Sequence, residues 1–270
     1  MSAGVNGASH PDFATIDWRG RAVRIECQWT APEKTGAPLI VFLHEGLGSV
    51  ALWRDTPGAL AEMTGCGVFA YSRQGYGQSD PAALPRPLSY MHDEARRLPA
   101  VLDAAGVRRA VLIGHSDGAS IAAICAGSEY DTRIRGLVLL APHFFVEDEA
   151  ITGIQAARAA YERGKLRDLL APYHRDVDNT FWGWNGAWLD PEFRSWRIDE
   201  YIPHIRIPIL LIQGDADQYG TLAQLRIVEE FACGPVETLI VPGARHAPHL
   251  DAADLVLPAI ASFVHTLRGA

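Results

Sequence analysis

The chain has 270 residues, 48% of them hydrophobic and 21% charged, enough to bury a core in one large domain or two small ones. Its net charge is −8, and Lys and Arg are spread out rather than gathered into a basic stripe, which argues against a nucleic-acid partner. No apolar run approaches the ~20 residues of a membrane span, and the start MSAGVNGASHPDF lacks a basic region followed by an apolar one. A cytoplasmic protein without membrane association is therefore expected. Cys27, Cys66, Cys125 and Cys233 form no C-x-x-C pair and read as reduced thiols.

Residues 1–14 are small and polar and read as a loose tail. IDWRGRAVRIECQW reads as a hairpin about Arg19-Gly20. PLIVFLHEG is a short continuous apolar run, the mark of a strand buried on both faces. SVALWRDTPGALAEMTG is helix-like, with Pro57-Gly58 as an interruption, and CGVFAYS is another buried strand. SYMHDEARRLPAVLDAAG is an amphipathic helix, with Ser89 as its cap and Gly106 as its stop. RAVLIGHS is a strand, GASIAAICAG a small-residue helix and IRGLVLLAP a strand.

The pattern then changes. Residues 143–204 contain helical patterns but no buried strand, and hold Trp182, Trp184, Trp188 and Trp196. Strand IPILLIQGD, helix TLAQLRIVEEFA (capped by Thr221), strand PVETLIVPG and a last helix LDAADLVLPAIASFVHTLR follow. Alternating strands and helices predict an α/β fold, a mostly parallel central sheet with helices on both faces. Residues 15–142 and 205–268 are expected to form its core, with 143–204 as an inserted helical cap. Ligands in such sheets bind beyond the carboxyl ends of the strands.

Ser116 stands at a strand-to-helix corner within Gly114-His-Ser-Asp-Gly118, a G-x-S-x-G pattern. A tight corner lifts a serine clear of the sheet, and the flanking glycines relieve the crowding this causes. A serine hydroxyl also needs a base to take its proton and an acid to orient that base. Asp215 and Asp217 follow the strand IPILLIQG, and His246 and His249 follow ETLIVPG. The order Ser, acid, His is the one this architecture requires.

With HEGLGS, SRQGYGQSD, GHSDG, GDAD and GARHAPH in that order, the chain resembles α/β-hydrolase fold enzymes over roughly residues 20–268. The resemblance implies Asp217 and His246 as the acid and base, with Asp215 and His249 as runners-up. By position, the oxyanion-binding N–H groups belong to Gly46 and Asp117. The chain departs from the usual His-Gly-x-x-Gly: it reads His44-Glu45-Gly46-Leu47-Gly48. Glu45 is expected to bond into its loop or to Arg73, or to touch substrate. Trp182, Trp184 and Trp188 are candidate substrate contacts. Arg73 is expected to hold the loop beneath the oxyanion strand.

Asp117 puts a negative charge beside a developing oxyanion, so it should point away, be paired, or meet a cation on the substrate. These features imply hydrolysis of an ester or thioester of a small acyl substrate, without metal or organic cofactor. A carbon–carbon bond hydrolase or an amidase could use the same groups. Two other classes compete. Gly46-x-Gly48-x-x-Ala51 mimics a dinucleotide fingerprint of a nicotinamide-dependent oxidoreductase, but the next strand ends in Tyr71-Ser72 instead of an acid. A non-enzymatic receptor on the same fold would usually show a broken triad. His246-x-x-His249 suggests a metal pair, but Pro248 lies between the two and no third ligand is evident.

Overall fold

The computed structural model describes residues 12–32, 37–128 and 131–267. Eight strands form one sheet in the order β1-β2-β4-β3-β5-β6-β7-β8. The hairpin β1 (Phe13–Trp18) and β2 (Arg21–Thr30) turns at Arg19 and Gly20, both at positive φ. The expected tail therefore ends earlier than residue 14, and residues 1–11 lie outside the described part. β2 runs antiparallel to β4 (Val68–Tyr71), and every later pairing is parallel. β3 (Leu39–Leu43), β5 (Ala110–His115), β6 (Ile134–Leu140) and β7 (Ile209–Gly214) are almost wholly buried, as their unbroken apolar runs require when helices cover both faces. β8 (Val236–Val241) is the edge strand and leaves Ile240 exposed.

Two apolar layers flank the sheet. One packs α2 (Tyr90–Ala104) and α3 (Asp117–Gly127) against it, the other α1 (Thr56–Thr64) and α9 (Ala253–Thr266). Pro57 does not interrupt a helix. A 3₁₀ turn over Val50–Trp53 ends first, and Pro57 sits in the opening turn of α1, where a missing N–H costs nothing. The last expected helix is likewise two: α8 (Pro248–Asp251) and α9 part at Ala252, whose φ is −142°.

Between β6 and β7 lie α4 (Asp148–Glu162), α5 (Lys165–Leu170) and α6 (Val177–Trp188), with further 3₁₀ turns. Within residues 143–204 the sole β contact is an isolated bridge from Phe145 to Arg197. Polar bonds pin this helical segment to the loops beneath it. His174 accepts from the Gly77 N–H (2.9 Å) and donates to the Leu47 carbonyl (3.0 Å). Asn179 bonds both backbone groups of Ala82, and the Thr180 hydroxyl donates to the Gly75 carbonyl.

Candidate active site

Five loops leave the carboxyl ends of β3, β5, β6, β7 and β8 and meet over one cavity. Glu45, Gly46, Leu47, Ser116, His143 and His246 line its floor and rim, and Ala150, Ile154, Trp184, Trp188 and Tyr219 complete the wall.

Ser116 has φ +53° and ψ −118°, a conformation that crowds any residue with a β-carbon. The flanking glycines make the corner possible. A β-carbon on Gly118 would collide with the Leu43 carbonyl, and one on Gly114 with the backbone of Gly118 and Ala119. Asp117 opens α3, so its N–H has no acceptor within the helix.

His246 places Nδ1 2.9 Å from both carboxylate oxygens of Asp217. Burial works against the Asp217 charge, but the His246 hydrogen bond and the Tyr219 N–H (2.8 Å) hold its pKa below the usual carboxylate value. Gln213, buried at the end of β7, adds a side-chain N–H at 3.2 Å. Asp215 points elsewhere and accepts from the Gly243 N–H in an exposed turn. His249 also lies outside the cavity wall, tilted against Trp53 and edge-on to His115.

The loop after β3 is held from below. The Arg73 guanidinium donates to the carbonyls of His44 and Glu45. His44 donates from Nδ1 to the Glu45 carbonyl (2.7 Å) and accepts the Arg73 N–H at Nε2 (3.0 Å). Arg73 thus meets Glu45 through backbone. The Glu45 carboxylate turns to His115, whose Nδ1 is 3.5 Å away. Burial opposes that carboxylate's charge, but the hydrogen bond and charge of His115 hold its pKa well below the usual range. His115 in turn donates Nε2–H to the His246 carbonyl (2.7 Å), tying three of the loops together.

Of the aromatic candidates, Trp184 and Trp188 reach the cavity. The Trp184 indole lies against Gly46 closely enough that a β-carbon there would strike it. Trp182 is not brought to the wall; it packs on Tyr161 and Phe181 with Arg158 over its ring. Asp117 does not face the cavity either. Its carboxylate is fully buried and accepts from the Tyr90 hydroxyl (2.6 Å) and the Trp188 indole N–H (3.1 Å). Desolvation raises its pKa, and Arg73 and these two donors work against the rise.

His143 and Tyr219 were not singled out from the sequence. Both follow the rule that located the others: His143 is three residues past β6 and Tyr219 five past β7.

This sheet, with a serine at positive φ at the corner past β5, has the architecture of the α/β-hydrolase fold. The alpha/beta hydrolase family model matches residues 40–259, and the chain belongs to that family and is an enzyme of that type. It is 25% identical over 198 residues to the human serine hydrolase BPHL, covering 69% of this chain and 65% of BPHL. It is 40% identical over 101 residues to the "Putative carbamate hydrolase RutD" of Variovorax paradoxus, 37% of this chain and 36% of that one. The match thus spans less than two thirds of either relative. Among solved structures, proline iminopeptidase of Mycobacterium smegmatis superposes with a TM-score of 0.74 at 19% identity, covering 95% of this chain and 98% of that one. The enol-lactonase of Burkholderia xenovorans gives 0.72 at 19%, covering 94% and 99%. These two likenesses concern the fold.

Proposed function

We propose that the protein is a serine hydrolase that cleaves a carboxylic ester or thioester through an acyl-enzyme. The observation that carries this reading is the His246–Asp217 pair at 2.9 Å beside the strained Ser116 in one cavity. His246 Nε2 takes the Ser116 proton as Oγ attacks the carbonyl carbon. The backbone N–H groups of Gly46 and Asp117 receive the oxyanion, each typically contributing about 3–4 kcal/mol. Asp217 keeps the Nδ1 proton in place and stabilises the imidazolium. The tetrahedral centre collapses, and the departing alcohol or thiol leaves with the proton from His246. Water then gives a proton to His246, attacks the acyl carbon and releases the acid, and Ser116 regains its proton. Residues 143–204 serve as a cap whose Trp184 and Trp188 wall the acyl group. Apart from the substrate and the water, every group in these steps belongs to this chain.

The partial likeness to a protein named for carbamate hydrolysis favours a second reading, cleavage of a carbamate by the same groups. The test is a screen of p-nitrophenyl esters, acyl thioesters and carbamates with wild type, Ser116→Ala and His246→Ala. Each variant should lose roughly a thousandfold or more in kcat, and the double variant should be little worse than either. A serine-directed phosphonate should label Ser116. Full activity in Ser116→Ala overturns the proposal.

A further inference from the structure

His143 is a polar group that the reaction above leaves unused. Its backbone is held from several sides. Ala141, two residues earlier, has φ +45°, a left-handed conformation that a residue with a β-carbon adopts only under constraint. The Ser120 hydroxyl donates to the His143 carbonyl (2.6 Å), and the next N–H, of Phe144, donates to the Gln224 side chain (2.7 Å). The strained turn and these two bonds present the ring to the same cavity as Ser116 and His246.

The ring is only 3% exposed, edge-on to Trp188 at 5.2 Å and tilted against His246 at 5.6 Å between centroids. Nδ1 is fully buried, and neither ring nitrogen has a hydrogen-bond partner among the described residues. Burial above all, helped by the nearby His246, lowers its pKa to about 3, so the ring is neutral at pH 7. A neutral imidazole carries one N–H and one lone pair. An N–H buried without an acceptor is rarer in proteins than an under-used acceptor. The proton therefore belongs on Nε2, the nitrogen at the edge the ring can turn to the cavity.

From this we propose that His143 is a specificity-determining residue, donating Nε2–H to an oxygen that the substrate carries close to its scissile carbonyl. The rest of the wall is apolar or aromatic (Ala150, Ile154, Trp184, Trp188 and Tyr219), and the Glu45 carboxylate at its edge is turned to His115. The fitting substrate class is a small, mostly apolar acyl compound with one oxygen acceptor beside the carbonyl, such as a 2-alkoxy or 2-oxo acyl ester. This rests on the serine-hydrolase reading of the same cavity.

The experiment compares p-nitrophenyl methoxyacetate with p-nitrophenyl butyrate, in which a methylene replaces the ether oxygen. Each kcat/KM is divided by the ester's own alkaline hydrolysis rate. Wild type should favour methoxyacetate about tenfold or more on that scale. His143→Phe, which keeps a ring against Trp188, should bring the ratio to about one. His143→Gln, whose amide nitrogen reaches near the Nε2 position, should restore part of it. Equal losses on both esters in His143→Phe, or a wild-type ratio near one, overturn the proposal. A second readout needs no turnover: nitrogen-15 NMR of labelled wild type at pH 7 should show His143 neutral with its proton on Nε2. A proton on Nδ1 overturns it as well. Turnover surviving in Ser116→Ala would instead strike the reaction assignment and leave the NMR result standing.

Discussion

Asp117 lies one residue from the serine, where an unbalanced charge would oppose an oxyanion. The fold removes the conflict by turning the carboxylate away from the cavity and giving it two donors and a nearby guanidinium. Of the three readings its position allowed, the carboxylate is paired and points away, and it does not line the cavity. Asp117→Asn exchanges one acceptor for an amide that must face a donor. A buried polar group left unsatisfied costs about 1–3 kcal/mol, so a urea titration should show a loss of that size. Matched esters with and without an amino group beside the carbonyl should lose activity to the same extent. A loss confined to the amino ester would make Asp117 a substrate contact after all.

At the scale of elements, the loop after β3 depends on Arg73, which holds two successive carbonyls with one planar fork. Lysine offers a point charge and cannot bridge both. Arg73→Lys should therefore let the Gly46 N–H drift and lower kcat by roughly a hundredfold, as losing one oxyanion donor does. KM should change less. A kcat within threefold of wild type would show that the loop stands without it. Much of this was legible in the sequence, because each key residue stands just past an apolar run and a one-dimensional rule finds such places. That rule points to Ser116 and to the pairs Asp215/Asp217 and His246/His249; the choice of Asp217, His246 and Gly46, and a loop-holding role for Arg73, comes from the family resemblance. The partners of side chains were not legible. Nothing in the spacing says that Glu45 faces His115 instead of Arg73, or that Trp182 turns outward while Trp184 turns in. Those outcomes depend on how helices α4 and α6 sit across the sheet ends, which is set by packing among residues far apart in sequence. Pro57 was misread for a local reason: proline ends a helix from inside but fits its first turn.

Across the whole molecule, the sheet ends collect buried histidines that the fold keeps neutral. Burial, aided by His115, lowers the His249 pKa to about 3, with the Glu45 charge opposing the shift; His143 is lowered to a similar value. In the unfolded chain each imidazole takes up a proton near pH 6.5. Above that pH neither state is protonated, and the stability is fully present. Below it the unfolded chain binds protons that the folded one refuses, so stability falls as pH drops from about 6.5 towards 3. Each such histidine steepens the fall by up to ~1.4 kcal/mol per pH unit. His249 is the cleaner probe, because it lies outside the cavity wall and its ring packs at 5.1 Å from Trp53. His249→Phe keeps an aromatic ring there and removes the titration. Urea unfolding between pH 4 and 6 should then give a shallower dependence of stability on pH than wild type, by about that amount. An unchanged slope would mean that His249 is protonated in the folded protein, with the Glu45 carboxylate as the charge able to hold it so.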